Sequence, residues 1–401
     1  MAAAHLANVL IDGSMLEGGG QILRNSVSLS ALLSKSVSIN RIRNGRKPPG
    51  LKNQHQTGLE LAAEISSAHL TGATNGSNEI NFVPGRICLP GHYIADSVTA
   101  GSTMLLLQIA LPLLLFSVSP MPPSTLTLFG GTNAIQAPQI DYTLYVFLPF
   151  MRRHFGLEGV NLDIKKRGYF PKGGGEVRVT VKPFYEAGEG TRRLHGMRLL
   201  VRGGVKSVCG IAHLGKLPSS VGREMVEGAR MKLKDFGSSK AGVEIAEIPV
   251  KIEYRRDENK NTIGAGSGIV LWAELEGGGM IGGSAVGRKG LDPAVVGTQA
   301  AEELIKGLQA GGCVDEWLQD QIIIYMALAH GKSELRCGKG GLTLHTQTAI
   351  WVTGQFTDAK FAIEEEPSGH TIIRCTGIGY TANLLVSKSE QRRLPANNGL
   401  N

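Results

Sequence analysis

The chain of 401 residues lacks several things that would otherwise settle its class. Its five cysteines, Cys88, Cys209, Cys313, Cys337 and Cys375, are odd in number and scattered, with no C-x-x-C pair. Neither a zinc knuckle nor a disulfide framework follows from them, and a reducing compartment fits best. No basic stretch followed by an apolar core opens the sequence, so it does not read as a signal peptide. The most apolar run, Met104 to Phe116, is too short to span a bilayer and contains Gln108 and Pro112, so a buried helix is expected there. Charged residues are 19% against 42% apolar, an ordinary globular balance that excludes disorder for most of the chain. What is abundant is glycine, 54 residues, which implies many tight turns or close backbone approaches. A net charge of +8 and a pI near 9.2 favour an anionic partner, nucleic acid first and a merely basic enzyme second.

Helical patterns pair up along the chain. Gly18–Leu33, Ala100–Phe116 and Asp292–Leu308 each follow a strand and a glycine-bearing turn. Gly50–Ser66, Pro138–Phe155 and Asp315–Ala329 open with proline, glycine or an acidic residue and carry a polar stripe. Strand patterns lie between them at Val37–Arg43, Glu79–Val83, Thr125–Phe129 and Val177–Val181. The expected fold class is therefore α/β (α+β), with repeated sheet-plus-two-helix units over 1–185 and 280–385. Residues 186–279 differ, with strands at Arg198–Arg202, Ile248–Tyr254 and Gly268–Leu275 and one long helix at Val221–Phe236. They are expected to form a smaller inserted α/β domain, and 386–401 a disordered tail.

Four stretches carry candidate chemistry. Ile11-Asp-Gly-Ser-Met-Leu-Glu-Gly-Gly-Gly-Gln-Ile-Leu-Arg24 reads as strand, glycine turn and helix, suited to an anion at a helix N-terminus with Arg24 one turn in. No Gly-Lys-Ser/Thr follows, which excludes a Walker A loop, and a tight turn with a surface arginine fits the stretch as well. Arg41-Ile-Arg-Asn-Gly-Arg-Lys-Pro-Pro-Gly-Leu-Lys52 has five basic residues and no acidic one, directly before a helix bearing Gln54 and His55. Strand alternation puts Arg41 and Arg43 on one face, a phosphate-binding pattern or a solvated basic loop. Trp317, Asp320 and Gln321 stand at i, i+3 and i+4 and share a helix face able to hold a purine and its ribose, or to pack a core. In Gly341-Leu-Thr-Leu-His-Thr-Gln-Thr-Ala-Ile-Trp-Val352, Leu342 and Leu344 are spaced as on a strand, and Thr346 and Thr348 suit a helix cap. His345 is thereby expected where a strand ends and a helix begins. A lone histidine at such a place is more often structural than nucleophilic.

Taken together, Glu17–Arg24, Ile42–Leu51, Arg167-Gly-Tyr-Phe-Pro-Lys-Gly-Gly-Gly175, Leu318-Gln-Asp-Gln321 and Leu344–Ile350 resemble the RNA 3′-terminal phosphate cyclase family, in its order, from about Ile11 to Tyr380. The resemblance implies three related α/β units with a smaller inserted domain. It also implies an ATP-dependent ligase-type reaction, in which an RNA 3′-phosphate end becomes a 2′,3′-cyclic phosphodiester and AMP and diphosphate are released. By this resemblance His345 is the nucleophile that becomes adenylylated. Gln108, Pro138, Trp317, Asp320 and Gln321 match ATP-binding positions. Glu17, Arg24, Arg43, Arg46, Gln54 and His55 match a pocket for phosphates, the RNA end or a metal, with Glu17 the metal-ligand candidate. Implied companions are ATP, a divalent metal (Mg2+ or Mn2+) and RNA with a 3′-phosphate end; no membrane is expected, and the nucleus is the expected location ahead of the cytoplasm.

Two positions depart from the family pattern: Trp317 stands where a tyrosine is usual, and Trp351 where a second histidine is often found. Competing readings are a non-catalytic cyclase-like protein of pre-ribosomal RNA processing, which would lack the histidine, and a basic enzyme acting on a small phosphorylated metabolite.

Overall fold

The computed structural model describes residues 9–134, 136–185, 193–238 and 247–382. The first unit runs β1 (Val9–Asp12), α1 (Gly20–Leu33), β2 (Val37–Asn40), α2 (Asn53–Ser66), β3 (His69–Thr71) and β4 (Ile80–Val83). Its sheet has the order β1-β2-β4-β3, with the first pair parallel and the others antiparallel. A parallel pair needs a crossover, and α1 supplies it. The second unit repeats the plan with β5 (His92–Asp96), α3 (Thr103–Leu114), a short β6 (Phe116–Ser117) and β7 (Ser124–Gly130). It continues through α4 (Ile140–Tyr142) and one π turn into α5 (Leu148–Phe155), then β8 (Val160–Lys166) and β9 (Gly175–Val181), in the order β5-β7-β9-β8. The short β6 pairs separately with β10 (Phe184–Tyr185). Strict alternation on β7 buries Ser124, Leu126 and Leu128 on one face, as a half-covered strand requires.

The third unit opens with β11 (Arg198–Leu199) and is then interrupted. The chain first builds β12 (Val205–Gly215), α6 (Ser219–Gly237), β13 (Val250–Asp257), β14 (Gly266–Leu275), β15 (Met280–Val286) and α7 (Pro293–Ala310), with sheet order β13-β12-β14-β15. Only then does the third unit resume, through α8 (Glu316–Leu328), β16 (Lys332–Lys339), α9 (Leu344–Phe356), β17 (Lys360–Glu365) and β18 (His370–Thr376). Its sheet, β11-β16-β18-β17, has the same parallel-then-antiparallel pairing as the other two. The three units share one core. Helix α1 touches α2, α3 and α9, which explains why almost all of its length is buried.

Sheet membership departs from the expected 280 boundary. Strand β15 pairs with β14, so the inserted body continues past 279, and Asp292–Leu308 belongs to it rather than to the third unit. The cause is a second core: Val296, Ala300, Ala301 and Leu304 pack with Met225, Ala229 and Leu233 of α6 and Leu271 of β14. Helices α6 and α7 touch backbone to backbone, since a Cβ on Gly228 would collide with Ala294 and one on Gly297 with Met225. The first and second helices of the third unit are therefore α8 and α9. Conversely Arg198–Leu199, expected in the insertion, hydrogen-bonds to β16 of the third unit. The 386–401 tail lies outside the described residues.

A buried polar network joins the insertion to the second unit. Arg167 makes a bidentate pair with Asp141 (2.5 and 2.8 Å), and its Nε donates to Asp257 at 2.9 Å. Asn133 donates to Asp141 and to Gln139 Oε1. Gln139 spends its amide hydrogens on the carbonyls of Ile269 and Ala285, so its oxygen faces His213 Nε2 at 2.9 Å, while the Tyr169 hydroxyl donates to Nδ1. Burial, reinforced by Arg167 and opposed by Asp141, pushes the His213 imidazole down to about 3, so the ring is neutral and both nitrogens are satisfied. Burial alone would raise the Asp141 carboxyl, but Arg167, His213 and the hydrogen bonds override it and hold it well below the usual carboxylate range. A depressed carboxylate stabilises the fold at any pH above its unfolded value, and the contribution fades only as pH falls through the folded one. Asp141→Asn should therefore cost about 3 kcal/mol near neutral pH, at the low end for a broken buried pair because Asp257 still faces Arg167. Denaturant unfolding with a midpoint unchanged from the unaltered protein would remove this network from the account.

Candidate active site

Where the three units meet, a cleft of about 460 Å3 opens between the starts of α1, α2 and α9, the body of α3, the 136–138 loop and α8. Glu17, Arg24, Arg43, Arg46, Gln54, His55, Gln108, Pro138, Trp317, Asp320, Gln321 and His345 all line it. Residues drawn from the whole length of the sequence are thus brought to one place. Trp351 is not among the lining residues and packs partly buried against the main core.

The glycine loop enters from the first unit. Asp12 accepts from the Ser14 amide and hydroxyl, starting the turn, and Gly18 takes φ +58°. A Cβ on Gly19 would collide with the Glu17 carboxylate, and one on Gly20 would lie 2.7 Å from an Arg24 nitrogen and 3.0 Å from His55 Nε2. Glycine is needed here so that an acid, a guanidinium and an imidazole can crowd onto one backbone. No side chain caps α1, so its first N–H groups remain available to an anion. Arg24 is buried one turn in and donates to Gln21 at 2.5 Å; Glu17 and Asp320 offset the burial that lowers its pKa.

The basic loop departs from the expected strand. Regular pairing ends at Asn40, and Arg41 and Arg43 both adopt φ +52°, so the chain coils and the two arginines do not share a face. Arg41 turns outward to Asp12 at 2.8 Å, whereas Arg43 turns inward and donates to the Pro48 and Gly50 carbonyls, bracing the loop. Arg46 reaches the Glu17 carboxylate and carbonyl, each at 3.0 Å. On α2, Gln54 accepts from the Ser102 amide, and His55 Nδ1 accepts from the Lys52 amide at 3.0 Å. Burial, with Arg24, Arg43 and Lys52 nearby, pushes His55 down to about 3. With Nδ1 occupied as an acceptor, its Nε2 carries the proton and acts as a donor.

The third unit supplies the remaining wall. Helix α9 starts earlier than the threonine pattern suggested: Thr343 is the cap, accepting from the Thr346 amide at 3.1 Å, and His345 lies in the first turn rather than before it. Thr346 and Thr348 instead tie the turn down, Thr346 donating to Gln319 and Thr348 accepting from the Glu17 amide at 3.2 Å. His345 is open to the cleft, and Leu344 is exposed rather than facing a core. Partial desolvation lowers the His345 pKa, Glu17 opposes this, and Arg24 and Arg46 add to it, so the imidazole is neutral and carries a free lone pair at neutral pH. Asp320, buried on α8, is raised to about 7 by burial, with Arg24 pulling it back. The Trp317 indole donates to Glu303 at 2.7 Å, and the Gln321 amide donates to the Trp317 carbonyl.

Four cations (Arg24, Arg43, Arg46, Lys52) face two carboxylates (Glu17, Asp320) in the cleft, and helix starts add to the positive side. Glu17 Oε2, Arg24 Nε, Gln108 Oε1 and Gln321 Oε1 are buried there without a hydrogen-bond partner. Unsatisfied buried polar atoms are costly, and here three acceptor oxygens and one guanidinium nitrogen are left open beside a neutral histidine, so the cleft offers places for both donors and acceptors of a ligand. Among the described residues no three of His, Cys, Asp and Glu gather as a metal cage. Gly19 and Gly20 of the glycine turn line the cleft too, and so do Lys52, Leu105, Gln136 and Ala137, to which no role was assigned. Lys52 ended the basic run and was legible, but Leu105 has no sequence signal. A larger cavity of about 540 Å3 near Leu32, Phe116 and Tyr380 has Arg86 as its only charged lining residue among the described residues, so the smaller one is the better candidate for phosphate chemistry. No helix among the described residues is long and apolar enough to cross a membrane.

Comparison with known proteins identifies the family. The family profile described as RNA 3′-terminal phosphate cyclase matches residues 15–363. A protein of that name from Drosophila melanogaster is 37% identical over 376 residues, covering 94% of this chain and 98% of its own. One from Pyrobaculum neutrophilum is 39% identical over 372 residues (93% and 99%), and one from Methanosarcina mazei 40% over 367 (89% and 97%). A match of this extent leaves no large part of the fold unaccounted for, and the chain belongs to the RNA 3′-terminal phosphate cyclase family.

Proposed function

We propose that the protein uses ATP to convert an RNA 3′-phosphate end into a 2′,3′-cyclic phosphodiester through a covalent His345–AMP. The observation that carries this reading is a neutral, accessible His345 in the first turn of a helix, beside a cation-rich cleft with uncommitted polar atoms. The imidazole nitrogen attacks the α-phosphorus of ATP, forming a P–N bond as the P–O bond to diphosphate breaks. An oxygen of the RNA 3′-phosphate then attacks the same phosphorus, the P–N bond breaks, and the RNA end carries AMP. The vicinal 2′-hydroxyl attacks the 3′-phosphorus, loses its proton and expels AMP. Splitting one hard displacement into easier ones, and using a hydroxyl already held nearby, supplies the acceleration.

Trp317, Pro138, Gln108 and Gln321 are assigned to the adenosine part, and Arg24 with the free amides of α1 to phosphate oxygens. Arg46 is assigned to the RNA terminal phosphate, because it is half-exposed and its pairing with Glu17 is exchangeable. A Mg2+ or Mn2+ fits the donor set, since Glu17 offers one unpartnered buried carboxylate oxygen and such ions need only one or two when phosphates fill the shell. When bound, it would neutralise phosphate charge.

Incubation with α-labelled ATP and Mg2+ should yield a covalent, acid-labile AMP adduct that maps to His345, and His345→Ala should abolish it without loss of fold. An adduct surviving in that variant would place the nucleophile elsewhere. A protein that never labels but binds RNA would be the non-catalytic kind. Because the His345 pKa is depressed, labelling should be flat with pH above the ordinary histidine range and fall only below it. Trp317→Ala should weaken ATP binding by about 1–3 kcal/mol if the indole stacks on adenine, while Trp317→Tyr stays near neutral. Unchanged calorimetric affinity in the alanine variant would return Trp317 to packing. Arg46→Ala should spare labelling and slow AMP transfer to RNA; failure already at labelling would move Arg46 to the triphosphate.

A further inference from the structure

The motif Arg167-Gly-Tyr-Phe-Pro-Lys-Gly-Gly-Gly175 turns some side chains inward and others outward. Arg167 and Tyr169 are buried in the network with Asp141 and His213. The glycines let the hairpin lie against its neighbours: a Cβ on Gly173 would lie 2.6 Å from the Thr99 carbonyl oxygen, and one on Gly174 would collide with Ile263. With both flanks anchored, Phe170 is left 73% exposed, and Lys172 beside it is exposed without an ion pair among the described residues. Two more apolar side chains stand out on the adjoining segments, Val98 at 83% and Ile263 at 54%. Val98 sits at φ +59°, a conformation that a β-branched residue rarely accepts, with its amide held by Asp96. Lys216, also exposed, donates to the Ile263 carbonyl.

This ridge is continuous with the cleft on two sides. Thr99 and Ala100 lead to Ser102, whose amide donates to Gln54 in the cleft wall at 3.1 Å. On the other side Thr132 hydrogen-bonds to Gly168, and the same loop runs on to Gln136–Pro138 of the cleft. An unpartnered aromatic face flanked by lysines, at the rim of an anion site, has the composition that holds single-stranded nucleic acid: bases stack and phosphates pair, with little regard to sequence.

Resting on the proposed reaction, the geometry points to this ridge as the platform for the RNA strand 5′ to the reacting end, with Phe170 stacking on a base and Lys172 and Lys216 taking backbone phosphates. It reads strand length rather than the terminal phosphate. A single-stranded RNA octamer bearing a 3′-phosphate should bind Phe170→Ala roughly five- to a hundredfold more weakly than the unaltered protein, with Phe170→Trp restoring affinity. A ribonucleoside 3′,5′-bisphosphate, too short to reach the ridge, should compete equally well against both. Lys172→Ala should lower the slope of log affinity against log salt by up to about one unit. Octamer affinity for Phe170→Ala within twofold of the unaltered protein overturns the proposal and leaves the patch to another partner. Equal loss for octamer and bisphosphate also overturns it, because the hairpin would then merely shape the cleft. AMP labelling of the unaltered protein judges the proposed reaction separately, since the affinity comparison needs no turnover.

Discussion

The cleft depends on a constraint that no single repeat can meet: helix starts from the first and third units must point at the same volume. The amide of Glu17 donating to the hydroxyl of Thr348 ties the glycine loop to the first turn of α9, across almost the whole sequence. Around that tie, α1 packs on α3 and α9, so the repeats meet through their helices. The result is a concentration of positive potential without a rigid cage. Arg24 and Arg43 are held by a glutamine and by carbonyls, while Arg24 Nε is left without a partner among the described residues.

Three histidines, two buried and one exposed to the cleft, show how one residue type is tuned by what surrounds it. His213 has both ring nitrogens occupied inside a network and cannot take part in chemistry. His55 has one nitrogen used as an acceptor from the backbone and presents only a donor. His345 is kept neutral by partial desolvation with Arg24 and Arg46 nearby, yet its ring stays accessible. Depressed basicity is common to all three, so access and hydrogen-bond commitment, not pKa, separate a nucleophile candidate from structural histidines.

Much of this was legible in the sequence because the relevant signals are local. Glycine-rich turns, the basic run before α2 and the i, i+3, i+4 set on α8 are read within a dozen residues, and each lines the cleft. What failed was decided by partners far away. Asp292–Leu308 has the periodicity of any core helix, and only its packing on α6 and the insertion's sheet assigns it to the insertion. Arg41 and Arg43 obey strand alternation on paper, but the ladder stops at Asn40 because the loop folds back toward Gly50 and Ser77. The cap of α9 was missed by three residues because Thr343, Thr346 and Thr348 are equivalent in type; their partners alone distinguish them.

The interruption of the third unit between β11 and α8 bears on how the chain assembles. The first two units close their sheets from segments that follow one another along the chain. β11 must instead wait, unpaired, until the whole insertion has passed before β16 arrives to receive it at Arg198–Glu334. Such a long-range pairing adds loop-closure entropy, about 0.6 kcal/mol for each doubling of the intervening length, and non-local pairing of this kind slows folding. The insertion has its own sheet and its own core and can collapse in the interval, which turns a long floppy connection into a short one between two fixed ends. The cleft takes its last wall in chain order, α9, from beyond the insertion, so a chain cut short before α9 would lack His345 while keeping the elements that carry every other lining residue.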